Sequence, residues 1–388
     1  MSDYPGMTEL RDYAIPRTTI QLDSATAERP VILLATTLIT EAILFNNGLY
    51  QNILILYKLF EAIGYNVYLL VDRKGESIKG YNTIQPEVIL KNPIPVKFYI
   101  EIGMSVAIPL RNYLRDIGAS IVKLYLGNTL NIDVETVHST PGLDFSHHVT
   151  GLVDAVWVSP HYGQNLEYTT ALHGLDLARG KIAPYVWDRC FTEGRCTRWR
   201  PAGDWRKTDI VIAEPNISYQ KMFLWPLVLC QAFADKYPSW RGRVILMNTD
   251  RMKGNVHVMT TVLPAFGLYR DGRVELGGRK SIVELTRDYS SAVFVGHQFN
   301  NDFNYMTFEL LLGGFPLLHN SVAWADFGYA WKETALDGAV AKLNEVMQRH
   351  EDNLHKYIGQ AEQLVWAHSP YNPSVQEAWK KLLDSDGH

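Results

Sequence analysis

Short runs of purely apolar residues, each followed by a helix-like pattern and often closed by a glycine, constrain this chain more than any other feature. Pro30-Val-Ile-Leu-Leu-Ala35 is the first of them. A run with no polar face suits a strand covered on both sides rather than a half-solvated one. The loop Thr36–Gly48 follows, and Leu49–Ile63 then places Ile53, Leu56, Leu59, Phe60 and Ile63 on one helical stripe. Gly64 stops that helix, and Asn66–Val71 is the next strand. Strand, helix and strand in this order make a βαβ unit, which requires parallel pairing with helices on the sheet faces.

The alternation continues with strands expected at Val88–Leu90, Phe98–Ile102, Ile121–Leu126 and Ala155–Ser159, and helices at Val106–Ile117 and Leu166–Leu177. From Pro184 to Gly203 the sequence turns irregular and rich in Pro, Trp, Arg and Gly, as a domain connection would be. A second series begins at the strand Asp209–Ala213 and the helix Tyr219–Tyr237. It proceeds through strands Arg243–Met247, Val274–Leu276, Ala292–Val295 and Phe315–Leu318. Helices are expected around Val256–Phe266, at Ile282–Tyr289 and Asp302–Leu312, and in the tail at Gly338–Gln363 and Val375–Leu383.

The fold class is therefore α/β, two tandem Rossmann-like doubly wound domains. A length of 388 residues agrees, being too long for one small core. The expected divisions are a lead-in at 1–28, a first domain at 29–187, a connection at 188–208, a second domain at 209–365 and a C-terminal helix at 366–388 that returns to the first.

Composition narrows the function classes. Hydrophobic residues at 47% and charged residues at 20% describe a folded protein, and a formal charge of −4 gives no global attraction to nucleic acid or anionic membrane. The Arg-rich stretch Arg189–Lys207 reads either as a local basic face or as a solvated linker. Cys190, Cys196 and Cys230 lack metal-ligand spacing and read as reduced thiols, so a cytoplasmic setting is expected (host cytoplasm if the source is viral). The opening MSDYPGMTELRDY does not read as a signal peptide. No run approaches the about 18 apolar residues of a membrane span, so no integral membrane segment is expected.

The most informative stretch is Gly296–Ser321, GHQFNNDFNYMTFELLLGGFPLLHNS. It leaves the strand Ala292–Val295 and carries His297, Gln298, Asn300, Asn301 and Asn304 before a helix begins. In open α/β sheets ligands bind beyond the carboxyl ends of the strands, and free N–H groups at a helix start favour an anion. Glu309 lies among Tyr305, Met306, Phe308, Leu310, Leu311 and Leu312, where a carboxylate needs a partner. A ribose diol would supply one. Helix capping explains one Asn; five polar side chains and an embedded acid point to a phosphate-and-sugar site.

This segment resembles the donor-binding segment of GT-B glycosyltransferases, with their E-x7-E pattern and G-x-P turn. Glu309 matches the second Glu, which in that family holds the donor ribose, and Gly314-Phe-Pro316 matches the turn; Asn301 stands where the first Glu would be. The resemblance implies a GT-B-like fold with the C-terminal helix crossing back to the first domain. It further implies hexosyl or pentosyl transfer from a nucleotide-diphosphate sugar, a UDP-sugar by first expectation. No other cofactor and no metal are expected, since no D-x-D motif is placed for one.

Other residues fall at the same sheet edge. In DIVIAEPNISYQK, Asn216 and Lys221 could meet donor phosphates, Lys221 because a cation at a helix start opposes the helix dipole. Gly277-Gly278-Arg279 resembles the nucleobase seat of GT-B enzymes, Arg251 is placed to neutralise a pyrophosphate, and Gly48 leaves room near a helix start. For catalysis the first expectation is Glu101 as base, its pKa raised by burial, with His161 second and Asp144, His147 and His148 third.

The expected activity is transfer of a sugar to a hydroxyl acceptor, a glycan or lipid-linked glycan by default. A hydroxymethylated DNA base is the alternative acceptor. A non-catalytic nucleotide-sugar or glycan-binding protein, and an epimerase on the same scaffold, stay open. Neither stereochemical outcome nor oligomeric state is legible.

Overall fold

The apolar runs become parallel strands buried on both faces. The structure, a computed structural model, describes residues 7–8, 29–92, 94–106, 108–139, 153–216, 218–300, 302, 304–332 and 335–387. It divides into two units, Met1–Asp188 with His368–His388, and Arg189–Ala367.

In the first unit β1 (Val31–Thr36) is buried along its whole length and leads to α1 (Gly48–Ala62). The side chain of Asn47 caps α1 by accepting from Leu49 N–H at 3.0 Å. There follow β2 (Asn66–Val71), β3 (Thr83–Ile84), α2 (Pro86–Lys91), β4 (Val96–Glu101), α3 (Ile108–Asp116) and β5 (Ser120–Tyr125). The series closes with α4 (Thr129–Ser139), β6 (Ala155–Val158), α5 (Leu166–Leu172) and β7 (Gly180–Ile182). The sheet order is β3-β2-β1-β4-β5-β6-β7, every pair parallel.

The second unit repeats the plan. Its elements are β8 (Ile210–Ile212), α6 (Leu224–Lys236), β9 (Val244–Leu246), α7 (Asp250–Lys253) and α8 (Gly267–Arg270). Then come β10 (Val274–Leu276), α9 (Ile282–Asp288), β11 (Val293–Val295), α10 (Tyr305–Leu312), β12 (Leu317–His319), β13 (Tyr329–Ala330) and the long α11 (Leu336–Ala367). The order β10-β9-β8-β11-β12-β13, all parallel, is that of a doubly wound sheet. In each unit the first strand has a neighbour on either side, so the winding reverses between β1 and β4 and between β8 and β11.

The last helix, α12 (Pro373–Asp386), belongs to the first unit. Trp379, 1% exposed, meets the rings of Phe60 and Trp157 edge-on. Trp157 Nε1 donates to Asp386 Oδ2 and Ser120 Oγ to the Asp386 carbonyl, each at 2.7 Å, while Lys181 pairs with the Asp386 carboxylate.

Three expected elements differ. Val88–Leu90 is helical, inside α2, because Pro86 starts a helix at no hydrogen-bond cost and three apolar residues carry no period. The helix expected over Val256–Phe266 is a π turn, Val258–Val262, and a 3-10 turn, Leu263–Ala265, broken where Pro264 lacks a donor. The helix expected from Tyr219 starts at Leu224.

Candidate functional site

Beyond the carboxyl ends of β8 and β11, at the reversal of winding, two loops meet. The β8–α6 loop supplies Glu214 and Lys221; the β11–α10 loop supplies His297, Gln298 and Asp302. His297 N–H donates to Glu214 Oε1 at 2.9 Å, a bond that spans the switch point. A Cβ on Gly296 would lie 3.3 Å from the same oxygen, so glycine permits the approach. Glu214 is 1% exposed, and its other oxygen, Oε2, accepts no hydrogen bond from the described residues.

Electrostatics follow from that burial. Desolvation pushes the Glu214 carboxyl up to about 7, against the lowering effects of the His297 N–H and the Lys221 charge. Desolvation likewise pushes Lys221 down to about 8, against the charges of Glu214 and Asp302. The start of the β11–α10 loop is held by an amide pair. Gln298 N–H donates to Asn320 Oδ1 at 2.8 Å, and Asn320 Nδ2 returns to the Gln298 carbonyl at 2.7 Å. The His297 ring stacks on Trp225 at 5.8 Å.

Asn216 and Lys221, paired in the sequence reading, play different parts. Asn216 adopts a left-handed φ of 54° and uses its whole amide internally. Its Nδ2 donates to the Met247 carbonyl at 2.9 Å, and its Oδ1 accepts from Phe223 N–H at 2.9 Å. That turn ends before α6, so Lys221 is not in the helix's first turn and does not oppose its dipole as expected. Asn248, which the sequence did not single out, also has φ near 56° and donates through Nδ2 to the Ala213 and Glu214 carbonyls at 3.2 and 3.1 Å. Glu214 was missed as well. Its signal was an acid at the end of an apolar run, the same signal that singled out Glu101.

Glu309 is buried on α10 at 6% exposure, beside Cys196, whose thiol is pushed up to about 11 by burial and then by the Glu309 charge. Asn304 caps α10, its side chain accepting from Met306 N–H at 3.1 Å. In the G-x-P turn Gly314 has φ 75°, and a Cβ there would lie 3.1 Å from Leu354 Cδ1 on α11.

In the first unit Glu101 ends β4 and is fully buried. Lys123 Nζ donates to its Oε1 at 2.9 Å, Ser105 Oγ to the same oxygen at 2.7 Å, Tyr99 Oη to Oε2 at 3.2 Å, and Arg111 pairs with Oε2. Burial alone would raise its pKa, as expected from the sequence, but Lys123 and Arg111 outweigh burial and hold it below the ordinary value. That corrects the premise for a general base: this carboxylate is ionised and fully engaged. His161 sits in the turn after β6, 3.3 Å through Nδ1 from Ser159 Oγ, with burial pushing it down to about 4. Nearby, Tyr125 Oη and His173 Nε2 are 2.7 Å apart.

The family described as a protein of unknown function, DUF2827, matches residues 34–383. The chain belongs to the DUF2827 family. A search of the curated proteins finds no match. Among solved structures, this DUF2827 chain is similar to a sucrose-phosphate synthase from Thermosynechococcus elongatus, at 13% identity and a TM-score of 0.55, over 92% of this chain and 99% of that one. It is similar to an alpha-glucosyltransferase solved with UDP and a 13-mer DNA containing an HMU base, at 12% identity and 0.56, over 92% and 99%. It also matches a pneumococcal O-GlcNAc transferase, GtfA, at 13% identity and 0.44, over 75% of this chain but 57% of that longer one. The first two likenesses give this chain the fold of GT-B glycosyltransferases.

The remaining expected residues of this DUF2827 chain are scattered. Arg251 is exposed on α7 and Arg279 is exposed in the β10–α9 loop. Gly277 approaches protein rather than open space: a Cβ there would lie 2.8 Å from Met247 Sδ, and its carbonyl accepts from Thr249 N–H and Oγ1 at 3.0 and 2.9 Å. Gly48 is the first residue of α1, at the switch-point side of the first unit. Asn301, Asp144, His147 and His148 lie outside the described residues. Among the described residues no three His, Cys, Asp or Glu are grouped to hold a metal, and no helix is long and apolar enough to cross a membrane.

Proposed function

We propose that this protein is a glycosyltransferase that takes its sugar from a nucleotide-diphosphate sugar, with a UDP-sugar as the first donor to try. The observation that carries the reading is the switch point of the second unit. There one loop presents a desolvated ammonium, Lys221, beside Glu214 and the His297 backbone. In a doubly wound sheet this is where a phosphorylated ligand binds, and a partly buried lysine pairs with phosphate more strongly than one in open water. Glu309, on the helix that leaves the second loop, is the candidate for the donor ribose; Arg279 in the β10–α9 loop and Arg251 on α7 follow neighbouring strands of the same sheet and are the candidates for outer phosphate contacts.

The acceptor in this reading is a hydroxyl on a glycan or lipid-linked glycan. A formal charge of −4 speaks against a DNA acceptor, which needs a basic groove. Glu101 is not carried forward as the base. His161, neutral above about pH 4, becomes the first candidate, with Asp144, His147 and His148 after it.

Thermal-shift titration with UDP, GDP, ADP and CMP and their sugars tests the donor site. A nucleotide at one hundred times its dissociation constant stabilises by about 2.7 kcal/mol, a readable rise in melting temperature. A rise with one family, cut by about half or more in Lys221→Met and reduced in Glu309→Ala, is the expected result. No rise with any of them overturns the reading.

A further inference from the structure

Glu214 is an unusual neighbour for a phosphate-binding lysine, because an ionised carboxylate there would repel the ligand. Its geometry resolves the conflict. Oε1 is held by the His297 N–H at 2.9 Å, while Oε2 is buried and accepts nothing from the described residues. A proton taken up by this carboxyl therefore goes to Oε2, the oxygen with no donor already on it, and a protonated carboxyl becomes a hydrogen-bond donor.

We propose that Glu214 is a proton-linked ligand residue: a bound diphosphate takes Lys221 as its counter-ion, and Glu214 gains one proton on Oε2 and donates it in a hydrogen bond to a diphosphate oxygen. This rests on the reading of the switch point as the donor site. Before binding, the pair balances itself, with Lys221 charged and Glu214 sharing its field with Asp302 from the facing loop. The charge that acts on Glu214 is Lys221 from its own loop, and Asp302 from the β11–α10 loop acts in turn on Lys221. His297 contributes its backbone N–H, its ring being stacked on Trp225. A diphosphate replaces Glu214 as the partner of Lys221, and in a buried site two anions side by side cannot both stay ionised. The carboxyl is already near the point of half protonation at neutral pH, so the proton comes readily from buffer. No other bond forms or breaks.

The sign follows. Above pH 7 Glu214 is ionised in the free protein and must take up a proton to bind, so affinity falls with rising pH, by at most tenfold per unit for one proton. Well below its pKa it is already protonated and the dependence disappears.

The test is calorimetric titration of the full chain with UDP, and separately with inorganic pyrophosphate, from pH 6 to 8.5 in buffers of differing ionisation enthalpy. The expected result is uptake at pH 8 that exceeds that of Glu214→Gln by nearly one proton per UDP, and affinity that falls by about tenfold more than in Glu214→Gln between pH 7 and 8.5. Glu214→Gln, which keeps an oxygen for the His297 N–H and is neutral throughout, should lose Glu214's share of the fall and of the uptake and keep only the share that Lys221, itself pushed down to about 8, contributes. It also carries UDP's own ionisation as a reference. Binding by the wild type with the same pH dependence and proton count as Glu214→Gln overturns the inference and leaves the donor site standing. No binding of UDP or any other nucleotide by a folded wild type overturns the donor-site reading, and this inference with it.

Discussion

Glu101 at the end of β4 and Lys123 in β5 are register partners in the parallel ladder, and Lys123 Nζ reaches Glu101 Oε1 at 2.9 Å. Their side chains are 0% and 8% exposed, and Arg111 on α3 closes the group from the helix layer at 3% exposure. The ladder itself delivers the lysine to the carboxylate. Removing one member of such a set leaves a buried charge uncompensated.

Glu101→Gln should accordingly cost the first unit about 3–5 kcal/mol in urea unfolding. The depressed pKa of Glu101 fixes the pH sense: its contribution is present above the unfolded-state value and is lost as pH falls through the folded one. The wild type should therefore lose this stability in acid, and Glu101→Gln should show a shallower acid limb. A variant that unfolds like wild type yet transfers no sugar would restore Glu101 as the base.

Lys221→Met keeps the length and packing of the side chain and removes the charge. We expect wild-type unfolding behaviour and a loss in UDP affinity of about tenfold to a hundredfold, the range for a hydrogen bond to a charged group. Equilibrium dialysis reads it directly, and unchanged affinity would move the phosphate away from the β8–α6 loop.

Why some of this was legible and some not comes down to what each residue answers to. The strands were readable because β1, β5 and β6 are buried on both faces, so every position carries the same demand. The polar stretch Gly296–Ser321 stood out because five hydrogen-bonding side chains after a buried strand exceed what a turn needs. The parts played by single residues elsewhere were not legible. Asn216 looks like a ligand in sequence, but it is in left-handed conformation, which asparagine tolerates, and its amide closes the turn. Glu101 looked like an isolated acid because its partners come from 10 and 22 residues on, joined to it by a helix and a ladder. The Glu214 contact was hidden for the same reason, its donor lying 83 residues away.

Asn216 gives a sharp contrast between holding a loop and holding a ligand. Asn216→Ala removes two buried-side hydrogen bonds and places Cβ chemistry without a side-chain amide at φ 54°. The expected cost is about 2–3 kcal/mol in stability. Asn216→Gly should recover the part that belongs to the backbone and not the part that belongs to the amide. Nucleotide affinity in Asn216→Gly should be within about threefold of wild type, since the bonds lost are not to ligand. A loss as large as that of Lys221→Met, measured in the same dialysis, would make Asn216 a phosphate contact.

The return of α12 to the first unit makes a last prediction. Asp386 sits at the helix's far end with a carboxylate oxygen on Trp157 Nε1, a pairing with Lys181, and its carbonyl on Ser120 Oγ. Each partner is on a different strand or strand end, β6, β7 and β5, so one residue ties the helix across three strands. Asp386→Ala leaves the carbonyl bond and strips the other two, stranding the Trp157 indole N–H in a site where Trp157 is 0% exposed. An unsatisfied buried donor costs about 1–3 kcal/mol. The loss should fall on the first unit, so hydrogen exchange should quicken in β5, β6 and α12 while β8–β11 exchange as in wild type. Trp157→Phe removes the stranded donor together with the acceptor's need for it, so adding it to Asp386→Ala should cost less than the two changes summed. Additive losses would mean that the helix is held by Trp379 packing alone and that the Asp386 contacts are incidental to it.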